Sequence, residues 1–283
     1  MSAPPAFLQK PGRINSDPRD IHAATLAHYT GGATWKITQL HDRPRNLLIW
    51  VTRGQGRVVL NGVRRGIGTH NALFVPAGTL FALDLGAQGL AQVVDSPPGL
   101  TGRLPTKPVH LRIREGLAQA ELTGHIEAMQ REISQNRPLI QDALEGYVRL
   151  IAVWLRRQQQ AGTIDAPRET ASHRLAVRFA QLLVRDFRSD RSMADYAEEL
   201  DVTPTHLSRV CRAACGKTAA DMLTERRLYE ARLLLARPQP SIQEVAASLG
   251  FHSPAYFTRF IQTHTGHTPS GLRRAALGAA RPA

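Results

Sequence analysis

Two arginines fifty positions apart, Arg209 and Arg259, stand in matching surroundings. At helical spacing, Arg209 shares a face with Thr205, Ser208 and Arg212, and Arg259 shares one with Ala255, Thr258 and Gln262. A guanidinium is a planar fork of donors that fits the hydrogen-bonding edge of guanine, and a short hydroxyl side chain reaches bases or phosphates. The chemistry these residues offer is therefore recognition of a duplex rather than bond making. Thr205, Ser208, Arg209, Ala255, Thr258 and Arg259 are the expected base readers. Arg212 and Lys217 are expected at phosphates, as are Ser192, Thr203, Ser241 and Ser253, the last four through helix N-termini.

Those side chains need a scaffold, and the sequence writes it twice. Ser192 to Arg209 and Ser241 to Arg259 carry one pattern, with a single extra residue in the turn of the second copy. Each begins with a serine N-cap and an acid three positions on, Asp195 and Glu244. Met193, Tyr196, Ala197 and Leu200 form one helix face, as do Ile242, Val245, Ala246 and Leu249. Asp201 and Gly250 fall at the turn, where a residue tolerant of positive φ is useful. Thr203-Pro204 and Ser253-Pro254 then cap a second helix with proline at its first position. Leu207, Val210, Cys211 and Ala214 define the inner face of one second helix; Phe257, Phe260, Ile261 and His264 define that of the other. A single such hairpin could be an ordinary helical pair with a solvated face. Two copies with matching caps, turns and outward arginines point to helix-turn-helix units.

The segment resembles the DNA-binding domain of the AraC/XylS family of bacterial transcription regulators. The resemblance rests on Leu207-Ser208-Arg209, the run Arg226 to Leu234, Val245-Ala246, Leu249-Gly250-Phe251, Tyr256 to Phe260 and Gly266 to Ser270. It implies two helix-turn-helix units joined by a long helix, expected here over Thr224 to Ala236, with both recognition helices entering successive major grooves. The sequence departs from the family pattern at Cys211, Ile261, Gln262 and Leu272.

A chain of 283 residues suffices for two domains, each with its own core. No run of about 18 apolar residues suggests a membrane span. Residues 1–10 lack the layout of a signal peptide, so a cytoplasmic protein, nucleoid-associated when bound to DNA, is expected. The net charge of +13 favours a polyanionic partner. The basic excess is divided nearly evenly between the two halves, so the motif and not the charge carries the nucleic-acid reading. Cys211 and Cys215 are too few for a zinc site and read as small apolar residues under a helix.

Residues 23–96 have a β texture: Trp35 to Leu40 alternates, Asn46 to Thr52 is a core strand, and Asn61-Gly62 marks a tight hairpin. Further strands are expected over Ala72 to Val75, Thr79 to Leu85 and Gly89 to Val94, with Ser96 to Gly99 closing the β part. Gly54 to Gly62 and Ala72 to Thr79 resemble the cupin-like sensor domain found in many members of the same family. No metal is expected there, because His70 stands alone and Phe81 lies near where a late ligand would be. His22, His28 and His41 read as surface or core residues. An apolar barrel mouth would suit a small-molecule effector. The first alternative is a DNA-binding regulator whose N-terminal domain only dimerises or binds a protein partner; a remoter one, a cupin enzyme with accessory helices, needs a metal set or a nucleophile–base pair that residues 23–94 lack.

Two helices are expected over Leu117 to Gln135 and Leu139 to Gln160. The stripe Leu144, Tyr147, Ile151, Trp154 and Leu155 either covers the barrel or, as the resemblance implies, makes a dimer interface. The expected architecture is thus α+β in two domains: a cupin-like barrel or sandwich with two flanking helices, then an all-α domain with two helix-turn-helix units. The boundaries are an arm at 1–22, barrel 23–96, helical region 97–160, linker 161–172, DNA-binding domain 173–276 (units 192–215 and 241–264) and a tail at 277–283. The expected partners are promoter DNA, RNA polymerase, a small-molecule effector and a second copy of the chain. No cofactor is expected, and the expected role is regulatory rather than catalytic.

Overall fold

The computed structural model describes residues 20–163 and 170–279. Most of the expected arm, the middle of the expected linker and the end of the expected tail lie outside the described residues. The chain divides into two compact units, one built mainly on Asp42–Thr170 and the other on Ala171–Ala283.

The first unit opens with β1 (His22–Thr25), α1 (Leu26–Thr30) and α2 (Trp35–Thr38). The strands β2 (Asn46–Arg53), β3 (Gln55–Leu60), β4 (Val63–Gly68), β5 (Asn71–Val75), β6 (Phe81–Asp84), β7 (Leu90–Ser96) and β8 (Val109–Arg112) follow, and then α3 (Gly116–Gln135) and α4 (Ile140–Gln160). A five-stranded antiparallel sheet has the order β1-β7-β2-β5-β8, and a three-stranded sheet has the order β4-β3-β6. The expected cupin-like region is therefore two facing sheets rather than a closed barrel.

Strand β2 shows why its sequence is almost continuously apolar. Leu47, Ile49 and Val51 point between the sheets, where they meet Val58, Leu60, Phe81 and Leu83. Leu48 and Trp50 point the other way, into a second core with Leu122, Ile126, Met129, Val148 and Trp154 of α3 and α4. The five-stranded sheet is buried on both faces, so alternation of side chains does not become alternation of polarity. At the hairpin, Leu60 pairs with Val63, and Asn61 (φ 47°) and Gly62 (φ 74°) both take the left-handed conformation of a two-residue turn, as expected.

Three expectations change. Trp35 to Leu40 does not form a strand: residues 35–38 are one helical turn whose amides bond back to Ala33 and Thr34, with Ile37 buried. Six alternating residues cannot distinguish a strand from a single turn that buries one side chain. The β part does not close at Ser96, because β8 pairs with β5, Ala72 opposite Leu111 and Phe74 opposite Val109. Its four residues follow a Pro- and Gly-rich stretch and include His110, which is buried and bonded to Asn71 at 2.7 Å. Finally, Leu144, Ile151, Trp154 and Leu155 are 0–3% exposed, within the chain's own core, and Tyr147 packs against the same cluster. The most apolar face of α4 covers the sheet, so Leu144, Ile151, Trp154 and Leu155 are not a surface a second copy could reach, while Tyr147 is half-buried.

The second unit is helical: α5 (Ala171–Asp186), α6 (Met193–Glu199), α7 (Pro204–Cys215), α8 (Ala219–Leu235), α9 (Ile242–Ser248), α10 (Pro254–Thr265) and α11 (Pro269–Ala279). The linking helix α8 begins five residues before the expected Thr224. Thr218 and Asp221 form a reciprocal capping box there, a start signal present in the sequence and not used.

Candidate nucleic-acid interface

Each helix-turn-helix unit is set by its own residues. Ser192 and Ser241 are N-caps with full capping boxes to Asp195 and Glu244. Asp201 (φ 57°) and Gly250 (φ 77°) make the turns. Thr203 and Ser253 then accept the amides of His206 and Tyr256, with Pro204 and Pro254 in the first turn of α7 and α10. Pro is well placed there, since its missing N–H would have no helical partner.

The inner faces anchor the recognition helices. Leu207, Val210, Cys211, Ala214, Phe257 and Ile261 are buried. Phe251, just after the turn, lies 5.2 Å from Phe257 and 5.0 Å from Phe260 between ring centroids. His264, expected on this inner face, is exposed and meets Phe260 only edge-on at 5.0 Å, because the last turn of α10 runs past the core.

On the outer faces, Thr205, Arg209 and Arg212 of α7 are exposed and Ser208 is half-buried. On α10, Ala255 and Arg259 are exposed and Thr258 is half-buried. Both recognition helices thus present the expected base-reading side chains away from the core. Several arginines elsewhere in this unit are engaged: Arg185 and Arg191 with Asp186 and Glu199, Arg188 and Arg226 with Glu230. Among the described residues, Arg209 and Arg259 have no carboxylate partner, whereas Arg212, after the hydrogen bonds from Thr218, helps to hold the Asp221 carboxyl below its usual range; the one side-chain bond of Arg209 is to His206, at 3.0 Å. Lys217 differs, being held by Glu225 at 2.8 Å, so a phosphate would have to compete for it.

The four expected phosphate caps also divide. Hydrogen bonds from Ser192 hold the Asp195 carboxyl below its usual range, and those from Ser241 do the same for Glu244. A carboxylate therefore already occupies the N-terminus of α6 and of α9. The first turns of α7 and α10 carry no acid. An anion is favoured at an unneutralised helix N-terminus, which leaves Thr203 and Ser253 better suited than Ser192 and Ser241.

Sequence reasoning passed over Tyr256 and His206 as surface groups. Tyr256 is 63% exposed and leans on Phe251 at 5.8 Å, and its place one residue after Ala255 at the start of α10 was the available signal. Among the described residues no group of three or more His, Cys, Asp or Glu could hold a metal ion, and no helix is long and apolar enough to cross a membrane.

Cys211 and Cys215 are buried free thiols. Burial pushes the Cys211 thiol up to about 12, so almost no thiolate forms at neutral pH. Native protein treated with iodoacetamide at pH 8 is expected to leave Cys211 unmodified, with full alkylation only after unfolding. Rapid native alkylation in a mass-spectrometric time course would contradict the packing of α7.

The sequence profile of the helix-turn-helix domain matches residues 196–275. Over 73 residues the chain is 41% identical to the HTH-type transcriptional regulator GlxA of Rhizobium meliloti, covering 26% of this chain and 22% of that one. Over 131 residues it is 28% identical to the arabinose operon regulatory protein of Escherichia coli K12, covering 45% of each. The matches thus span about a fifth and just under half of these two relatives. Apo ToxT K231A of Vibrio cholerae aligns over 93% of this chain and 99% of its own at 14% identity, with a TM-score of 0.44, too loose a likeness to carry more. With its doubled units, their caps and these relatives, the C-terminal part of the chain is a helix-turn-helix domain of the AraC/XylS family.

Proposed function

We propose that the chain is a sequence-specific DNA-binding transcription regulator in which α7 and α10 each read a major groove. The observation that carries this is the pair of outward arginines, Arg209 and Arg259, left without a carboxylate among the described residues on helices whose opposite faces are buried. Thr205, Ser208, Ala255 and Thr258 flank them as secondary base contacts. Arg212, Thr203 and Ser253 serve the phosphates, with Ser192, Ser241 and Lys217 in weaker roles. The reading is regulatory and non-catalytic, in the cytoplasm and on the nucleoid, with promoter DNA and RNA polymerase as partners.

The first unit is read as the sensor. The space between its sheets is filled by apolar side chains, so an effector would sit outside that core. A cleft of about 550 Å³, lined by Trp50, Thr52, His70, Gln119, Thr123 and Glu127, offers hydrogen-bonding groups for a small polar molecule. A homodimer belongs to the same reading. With Leu144, Ile151, Trp154 and Leu155 of α4 buried, the exposed Leu90, Leu117, Ile133, Leu139 and Leu150 are large apolar side chains of this unit open to a second copy.

Footprinting of the full chain on genomic DNA tests the proposal. The expected result is a set of sites sharing two short motifs one helical turn apart, about 10 base pairs, with affinity falling steeply as salt rises. Binding with no sequence preference would sink it.

A further inference from the structure

The segment joining α5 to α6 is touched from two sides. From α8, Arg227 donates to the carbonyl of Phe187 through Nε at 2.8 Å and to that of Ser189 through Nη2 at 2.6 Å. Beside it, Arg226 lies over the Phe187 ring at 3.7 Å and pairs with Glu230, which also holds Arg188 at 2.5 Å. Arg226 and Glu230 are almost completely buried. From the second helix-turn-helix unit, the turn at Gly250 presses against the same backbone: a Cβ there would stand 2.5 Å from the Ser189 carbonyl oxygen. The next residues join in, with Phe251 5.7 Å from the Arg227 guanidinium and His252 3.5 Å from Asp190.

Ser189 thus lies three residues before the cap of the first unit and directly under the turn of the second. The second unit thus meets the segment that leads into the first, apart from the helix that links the two in sequence. A helix fixes distance along its axis but leaves a joint at each end. A guanidinium with two bonds to one backbone stretch, wedged by a turn that only glycine permits, removes that freedom.

We propose that Phe187–Asp190, clamped by Arg227 and seated under Gly250, is a bracket that fixes the separation and rotation of the two recognition helices, with Arg227 as the positioning residue. The consequence rests on the DNA-reading function: a rigid pair binds its second groove at a high effective concentration only when the two half-sites have the matching spacing.

The test uses the full chain with spin labels at Ala213→Cys on α7 and Thr263→Cys on α10, both exposed, while the buried native thiols stay unlabelled. Pulsed dipolar spectroscopy should give one narrow distance distribution. Arg227→Gln should broaden it, and Arg227→Lys, which keeps the charge but not the two-pronged geometry, should broaden it less. Circular dichroism and melting establish that the variants are folded, and Arg227→Lys keeps the test open should Arg227→Gln unfold. A distribution identical to wild type in a folded variant overturns the bracket.

On DNA, inserting two base pairs between half-sites turns the second groove by roughly 70°. That insertion should weaken wild type about tenfold and the Arg227 variants much less, with half-site affinity unchanged within about twofold. If the wild-type chain binds no specific DNA, the functional reading fails, while the distance measurement still decides the bracket.

Discussion

Arg259→Ala is expected to weaken binding to the full operator by about 1–3 kcal/mol and to relax base preference at one position, and Arg209→Ala to do the same in the other groove. Exposed side chains without an ion pair among the described residues leave the fold nearly untouched when truncated, so melting should shift by no more than about 0.5 kcal/mol. That separates recognition from stability, which substitutions at Arg188 or Arg226 could not do, since both pair with buried Glu230. The two arginines sit on different helices and share no partner among the described residues. The double variant should therefore lose close to the sum, about 2–6 kcal/mol. Mobility-shift titrations against the operator and its single-base variants provide the measurement. Unchanged affinity and unchanged base preference in either single variant would refute the assignment for that helix.

Phe257→Ala is expected to destabilise the helical unit by about 3–5 kcal/mol, the range for emptying a buried aromatic site. Phe257 is fully buried and meets Phe251 edge-on at 5.2 Å. Its neighbour Tyr256 is the internal control: it is 63% exposed, so Tyr256→Ala removes a surface ring and one contact with Phe251. Its cost should be on the order of 0.5 kcal/mol. Two compact units need not unfold together, so the transition must be followed with a probe in the helical unit. Equal costs for the two variants would mean that α10 is not held by the face assigned to it.

Much of the candidate site was legible because its logic is local. A serine three positions before an acid, a turn residue at positive φ, and a proline after a Thr or Ser each act within a few residues, and the structure uses all of them. The start of α8 was equally local and was missed only because the Thr218–Asp221 box was overlooked. The first unit was harder. A continuous apolar run such as Leu47 to Val51 says that both faces are covered, not by what, and a four-residue strand such as β8 has too little pattern to stand out beside its Pro-rich neighbours.

The amino-acid order alone determined that helix-turn-helix units occur twice, which face of each recognition helix turns outward, and which arginines that face carries. Caps, turns and helical periodicity are short-range, so they are written in consecutive residues. Tertiary structure alone decided which cations stay without a carboxylate, since Lys217 meets Glu225 while Arg209 and Arg259 meet none among the described residues. It also sent the α4 stripe into the chain's own core and brought Gly250 against Ser189. Each of these depends on contact between residues distant in sequence or on different helices. Competition for apolar area, space and countercharge is settled only when the whole unit packs.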